Sequence, residues 1–300
     1  MKIAVIGANG QLGADISDAF DQRGDDVVRL THEQIEVANL DSVATALREI
    51  RPRVVVNTAA MHHVEQCEAD PERAFAVNAT GARNVAIVCQ DLQATLVHIS
   101  TDYVFDGRKQ SPYGETDQPA PLNVYGHSKL AGEAEIQSVA GRHIILRVSG
   151  LYGTHRCRAK GHNFVELMLK LARERGVVHV VDDEVLTPTW TAEVARQIVA
   201  LSRADAYGLF HATAEGACSW YEFAREVFSR TGTPVDLQRA QPGQFPMKVP
   251  RPQYSVLENE QLKRAGLNTF RPWQEGLIHY LKACHRYEPT TVQHRYSFAQ

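Results

Sequence analysis

Three hundred residues suffice for one large core or two coupled ones, and 44% hydrophobic with 22% charged residues is the balance of an ordinary globular chain rather than a disordered one. A net charge of −3 with no long basic run gives no electrostatic footprint for nucleic acid, and no apolar stretch approaches the ~18 residues of a membrane span. The five cysteines (Cys67, Cys89, Cys157, Cys218, Cys284) are scattered and odd in number, without a Cys-x-x-Cys pair, which fits free thiols in a reducing cytoplasm; no signal peptide is read ahead of the first strand.

Residues 3–6 read as a short strand that runs into Gly7-Ala8-Asn9-Gly10-Gln11-Leu12-Gly13, and a helical pattern follows over residues 12–23. Strand, glycine loop and helix stand in the order a dinucleotide pyrophosphate needs. The glycines permit a tight turn and close backbone approach, while the helix N-terminus presents N–H groups and the positive dipole end. The spacing is Gly-x-x-Gly-x-x-Gly rather than Gly-x-Gly-x-x-Gly, and a glycine turn that binds nothing is the plainer alternative. Residues 27–30 form the second strand. An acid at its end would grip the ribose hydroxyls and favour NAD. The chain instead has Leu30-Thr31-His32, with Arg29 just before, so a 2′-phosphate is not repelled and NADPH, or use of both NADPH and NADH, is expected. Glu36-Val37 falls where a chain returning past the adenine offers backbone and carboxylate contacts; a solvated loop is the competing reading.

Residues 42–50 read as a helix and 54–56 as a third strand, leading to Asn57-Thr58-Ala59-Ala60, whose small side chains let a cofactor approach. Pro71 opens a helix with apolar positions through Val88. It carries Asn78, read either as water-facing or as a bridge to backbone near the following strand. The apolar run at 94–99 is a buried strand that places Thr101 just past its C-terminal end. After Ser100-Thr101-Asp102-Tyr103-Val104-Phe105-Asp106-Gly107 and a Pro-rich loop, the pattern is helical from Tyr125 to about Val139. Tyr125 and Lys129 are four apart and share a face. An ammonium beside a phenol favours the phenolate and lowers the Tyr pKa from its ordinary value of about 10, one way to make a proton donor. The Thr101 hydroxyl is placed to bond the carbonyl that such a phenol would protonate. A surface helix with a chance Tyr and Lys is the bland alternative. A strand at 144–148 follows, with Arg147 near its end.

Strands alternating with helices predict an α/β fold, a Rossmann-like doubly wound parallel sheet with a smaller, mixed α/β C-terminal region. Gly7 to Gly13, Ala59-Ala60, Thr101 and Val148-Ser149 then meet at the C-terminal edge of the sheet, where ligands of such sheets bind. Beyond Ser149 the pattern changes: a loop at 150–161, a helix at 163–175, a strand at 177–181, a Thr187-Pro188-Thr189 turn and a helix at 191–203. Ser219-Trp220-Tyr221-Glu222 has the form of a capping box opening a helix to about Arg230. Pro250-Arg251-Pro252 leads an extended run, helices follow at 259–265 and 273–284, and residues 285–300 read as a mobile tail. This divides the chain into a dinucleotide-binding unit at 1–149, a mainly substrate-binding region at 150–284, with part of 177–205 returning to the first, and the tail. His155-x-Cys157 with His162 matches no zinc spacing, so no metal is expected.

Assembled, these residues resemble the extended short-chain dehydrogenase/reductase superfamily, and within it the dTDP-4-dehydrorhamnose reductase branch. The Ser-Thr-Asp-Tyr-Val-Phe-Asp-Gly run is the most specific segment and the glycine loop the least. The resemblance implies that Tyr125 is the general acid, that Lys129 holds the nicotinamide ribose and tunes Tyr125, and that Thr101 completes the triad. It implies cofactor contacts from Gly7, Asn9, Gly10, Gln11, Leu12, Gly13, Glu36, Val37, Ala59 and Ala60. It further implies substrate contacts from Thr101, Asp102, His62, Asn163 and Arg251, the last to a diphosphate. The implied reaction reduces the C4 ketone of a nucleotide-linked 6-deoxyhexulose in the cytoplasm, and a homodimer is compatible with it. Dehydratases of the superfamily have Asp-Glu after the Thr; Asp102-Tyr103 argues for simple reduction. Two departures bear on the sugar: Ala59-Ala60-Met61-His62 stands for the usual Ala-Ala-Tyr-Thr, and Gly150 for a Trp that leaves the pocket short of an apolar wall. A non-catalytic regulatory subunit of the methionine adenosyltransferase type, suggested by Val64-Glu65-Gln66-Cys67-Glu68, and a sugar-nucleotide 4-epimerase are the alternatives.

Overall fold

A computed structural model of the chain describes residues 1–155, 161–241, 244–245 and 249–287. The chain alternates from the start: β1 (Lys2–Ile6), α1 (Gln11–Asp21), β2 (Asp26–Leu30), α2 (Leu40–Ile50) and β3 (Val54–Asn57). Next come α3 (Val64–Ala69), α4 (Pro71–Phe75), a single wide π turn at Ala76–Thr80, α5 (Gly81–Asp91), β4 (Thr95–Thr101), α6 (Val124–Val139) and β5 (His143–Val148). The second half runs β6 (Leu151–Tyr152), α7 (Phe164–Arg175), β7 (Val177–Val180), β8 (Val185–Leu186), β9 (Thr189–Trp190), α8 (Thr191–Leu201), β10 (Gly208–His211), β11 (Cys218–Ser219), α9 (Trp220–Arg230), β12 (Asp236–Arg239), α10 (Glu260–Arg264) and α11 (Trp273–Ala283).

Six strands form one sheet in the order β10-β5-β4-β3-β1-β2, all parallel. The inner strands are continuous apolar runs rather than alternating ones, because helices cover both faces. On one face Leu12, Ile16 and Phe20 of α1 pack with Val194, Ile198 and Leu201 of α8. On the other, Val43 and Leu47 of α2, Val85 of α5 and Ile136 of α6 do so. A third core joins α7, α9 and α11 through Val165, Leu169, Phe223, Val227, Leu277 and Tyr280, backed by the β7–β12 pair. Both predicted helix starts there hold. Asn163 with Glu166, and Ser219 with Glu222, close reciprocal capping boxes.

The last strand of the sheet, β10, has no counterpart among the strands expected from the sequence. β7 pairs with β12 outside the main sheet, whereas α8 and β10 return to it, β10 pairing with β5 from Gly208↔Ile144 to His211↔Arg147. Helix α3 is also unanticipated; six residues are too few to show a 3.6-residue period. Thr101 is the last residue of β4 rather than the one beyond it. Among the described residues no helix is long and apolar enough to cross a membrane, and no group of acids, histidines and cysteines is placed to hold a metal. Cys157, and the greater part of the expected tail, 288–300, lie outside the described residues.

Candidate active site

At the C-terminal edge of the sheet, the loop after β1 turns on Gly7, whose φ is +80°. A Cβ on Gly13 would lie 2.3 Å from Gly7 O, so only glycine lets the first turn of α1 close on the loop. Gly10 caps α1 with no side-chain hydrogen bond, and the first turn has no acid. Its N–H groups and positive dipole end therefore face outward for an anion. Thr58 Oγ1 donates to Ile6 O at 2.8 Å and ties the loop after β3 to this turn, which brings Ala59 and Ala60 beside it. These features fit a dinucleotide diphosphate.

The three residues expected to do the chemistry, Thr101, Tyr125 and Lys129, come from β4 and α6. The Thr101 hydroxyl lies beside the Tyr125 phenol and bears on its ionisation, and Tyr103 N–H donates to Thr101 Oγ1 at 3.2 Å. Tyr103 meets the Tyr125 ring edge-on, with centroids 5.6 Å apart. Burial raises the Tyr125 pKa and the Thr101 hydrogen bond only partly offsets it, with the charge of Asp102 adding to the rise. This corrects the expectation of a phenol made acidic by Lys129. The amine instead donates to Ile99 O at 2.6 Å and abuts His98 Nε2 at 3.0 Å. A phenol with a raised pKa stays protonated at neutral pH, which is the form a general acid requires. Lys129 itself is 1% exposed, and burial lowers its pKa to about 8, against a smaller opposing effect of Glu133.

The buried amine has a consequence for stability. The unfolded chain, with an ordinary Lys pKa of about 10.4, holds this proton more tightly than the folded one, so Lys129 destabilises the fold at neutral pH, and that cost disappears as pH rises from about 8 through 10.4. Lys129→Met removes the titration. Its unfolding free energy relative to wild type is expected to fall by about 2–3 kcal/mol between about pH 7 and pH 10.5. Urea midpoints at both pH values measure this, and a pH-independent difference would contradict the buried ionisation.

A family model described as RmlD substrate binding domain matches residues 1–286. The chain belongs to the RmlD family. A dTDP-4-keto-6-deoxy-D-glucose reductase of Streptomyces niveus is 39% identical over 280 residues, covering 91% of this chain and 94% of its own. The dTDP-4-dehydrorhamnose reductase of Escherichia coli (strain K12) is 36% identical over 293 residues, covering 92% of this chain and 96% of its own. A solved structure of dTDP-4-dehydrorhamnose reductase from Bacillus anthracis, in complex with NADP, is similar with a TM-score of 0.90 at 35% identity, covering 94% of this chain and 99% of that one.

The remaining residues expected at the site of this RmlD-family chain fall into distinct places. Asn9 is exposed on the glycine loop, while Leu12 is buried in the core behind it. Gln11 reaches away from the loop, its Nε2 donating to His155 O at 2.8 Å and Gly153 O at 3.3 Å, so it straps the segment after β5 onto α1. Glu36 accepts from Ala38 N–H at 3.1 Å, and Val37 is a core side chain, so what Val37 offers is backbone. Arg29 requires a correction: its guanidinium pairs with Asp18 and Asp21 on the α1 side of β2 and is already neutralised there.

Among the residues expected to meet substrate, Asp102 is 4% exposed, and Thr101 Oγ1 donates to it at 3.1 Å and Ser149 Oγ at 2.8 Å. It stands behind Thr101 and orients that hydroxyl rather than presenting a free carboxylate. Asn163 is likewise engaged by the protein: Oδ1 caps α7, and Nδ2 donates to Gly153 O at 2.8 Å and Tyr280 OH at 3.1 Å. Arg251 donates to Glu65 at 2.6 Å and is close enough to Tyr103 and Glu184 for each to favour its charged form. His62 is exposed in the turn after Met61. Asn78 does bridge rather than face water. Its carboxamide pairs with both Met61 N and Met61 O at 2.9 Å and donates to Ser128 Oγ at 2.9 Å, joining the loop after β3 to the helix that carries Lys129. The π turn is what aims it.

Gly150 corrects a third expectation. Its φ is +56°, and an added Cβ would lie 2.8 Å from Leu186 Cδ1 and 3.0 Å from both Thr187 O and Pro188 Cα. A side chain at this position meets the β8–β9 turn at once, so the backbone here leaves no open space beside Gly150. Gly150→Ala is expected to cost about 1–3 kcal/mol from backbone strain and crowding, read as a lower urea midpoint; an unchanged midpoint would contradict this packing.

Proposed function

We propose that this protein reduces the C4 ketone of a dTDP-linked 4-keto-6-deoxysugar with NADPH, as a dTDP-4-dehydrorhamnose reductase does. The observation that carries the reading is the convergence of a hydroxyl, a protonated phenol and a buried amine at the end of β4, beside a helix N-terminus open to phosphate, in a chain of the RmlD family. Gly7, Gly10 and Gly13 would receive the diphosphate, with Ala59 and Ala60 beside the nicotinamide half. When bound, NADPH supplies the hydride that reduces C4. Tyr125 gives its proton to the C4 oxygen, the Thr101 hydroxyl turns its one proton from Asp102 to that same oxygen, and Lys129 offsets the charge that develops on the phenolate. Arg251 exchanges Glu65 for the sugar-nucleotide diphosphate, and His62 lies along the sugar's approach. The free thiols among the described residues agree with a cytoplasmic setting.

The test is oxidation of NADPH on addition of dTDP-4-dehydrorhamnose. Tight NADPH binding with no turnover of any 4-keto-6-deoxysugar nucleotide would favour a regulatory subunit, and interconversion without net cofactor consumption an epimerase. With Arg29 neutralised by α1, tolerance of a 2′-phosphate falls to Thr31 in the place of an acid. NADPH is accordingly expected to serve at least as well as NADH in steady-state kinetics, and a hundredfold preference for NADH would overturn that expectation.

A further inference from the structure

The environment of Lys129 contains a proton inventory with one consistent solution. Asn57 Oδ1 accepts from Ala59 N–H at 3.1 Å, which fixes the orientation of the carboxamide and turns Nδ2 toward His98 Nδ1, 3.3 Å away. Nδ2 can only donate. Nδ1 of the imidazole must therefore be the acceptor, and in a neutral ring the proton then sits on Nε2. His98 is 1% exposed, and its pKa is lowered far below the ordinary range by burial and by Lys129, so the ring is neutral. Nε2–H points at Lys129 Nζ, 3.0 Å away, and a donor facing that atom is matched only by the lone pair of a free amine. The amine keeps two N–H groups, one on Ile99 O. When Lys129 is an ammonium, the ring must carry its single proton on Nδ1, directly against the Asn57 amide.

We propose that His98, held in one tautomer by Asn57, is a positioning residue that favours the free amine of Lys129 and so sets the pH at which this side chain carries charge. Its identity as a reduction-site lysine rests on the function proposed above; the hydrogen-bond argument does not. Other charged groups bear on the amine with known sign. Glu133, one turn further along α6, favours the ammonium, but its carboxylate is already matched by Arg147 from β5. Asp102, beyond β4, acts on the phenol of Tyr125 rather than on Nζ. His98 and burial thus act together against the charge, and Glu133 opposes them.

The test has two independent readouts. The first is the imidazole ¹⁵N spectrum of histidine-labelled protein without ligand at about pH 9.5, above the ionisation of Lys129. The His98 ring is expected to be neutral with Nε2 protonated. Asn57→Asp retains the acceptor for Ala59 but offers Nδ1 an acceptor instead of a donor, and should switch the ring to the Nδ1–H form at the same pH. The second readout is the alkaline limb of kcat/KM, which requires turnover. His98→Leu removes the donor to the free amine and should move that limb upward by about one pH unit, the size of one hydrogen bond to an ionisable group. A wild-type ring with Nδ1 protonated at that pH, or a folded His98→Leu variant that is slower with its limb unmoved, overturns the proposal. If no ketone is turned over at all, the reduction reading fails while the spectrum still decides the tautomer.

Discussion

Tyr125→Phe is expected to lower kcat for ketone reduction by about 10²–10⁴-fold while leaving NADPH affinity within a factor of a few. The phenylalanine ring keeps the edge-on contact with Tyr103 and its place on α6, so neither the helix nor the glycine loop is disturbed. What is lost is the hydroxyl beside Thr101, and with it the proton that the proposed mechanism delivers to the C4 oxygen. An effect confined to kcat, with binding intact, distinguishes removal of a transition-state interaction from damage to the cofactor cradle. Stopped-flow hydride transfer together with NADPH fluorescence titration reads both quantities. A variant that turns over at near the wild-type rate would remove Tyr125 from the chemistry.

Glu133→Ala is expected to cost about 3–5 kcal/mol of stability, the range for stripping one partner from a buried ion pair. Arg147 donates from Nε to Glu133 Oε1 at 2.9 Å and from Nη2 to Oε2 at 2.6 Å, Ser100 Oγ donates to the same carboxylate, and both side chains are 3% exposed. Without Glu133, a guanidinium is left buried beside the Phe105 ring with no counter-charge. The charge-only change Glu133→Gln carries a second signature. Glu133 is the group that favours the Lys129 ammonium, so its neutralisation pushes the amine's pKa lower still and moves the alkaline limb of kcat/KM downward. That direction is opposite to the one expected for His98→Leu. Urea denaturation and a pH–rate profile on the same preparations measure the two effects, and a cost below about 1 kcal/mol for Glu133→Ala would mean the pair is not isolated from water.

The parts of this molecule legible in the sequence are those whose constraint is local. Gly7 to Gly13 must be glycine-rich because the turn and the first helical residues touch one another, and Tyr125 and Lys129 share a face by helical spacing alone. Spacing does not say where a four-carbon side chain ends, and Lys129 ends on β4 rather than on the phenol. His98 went unread for a related reason. It is a polar residue in the middle of the apolar run 96–99, and its meaning appears only when the crossover lays α6 over that strand and β3 brings Asn57 alongside. The signal available was the interruption itself, since a buried imidazole requires partners. Gly150 misled because a missing indole suggests a void, whereas a backbone with positive φ had drawn the β8–β9 turn into the space. Strand β10 is four residues with no turn signal before it, and only pairing with β5 identifies it.

That late strand has a bearing on how the chain is made. Until residues 191–211 leave the ribosome, β5 is an unpaired edge whose Ile144, Ile145, Leu146 and Val148 are all buried in the finished protein, and the α1 face of the sheet lacks its α8 cover. A nascent chain in that condition carries the two features that recruit other chains, an open apolar strand and an uncovered apolar face. Synthesis of some sixty further residues separates the end of β5 from the arrival of β10. At about 5–20 residues per second that interval lasts several seconds. The N-terminal half of this protein is therefore the first to be translated, but its sheet cannot close until two-thirds of the chain exists, and through that span β5 is paired with β4 alone.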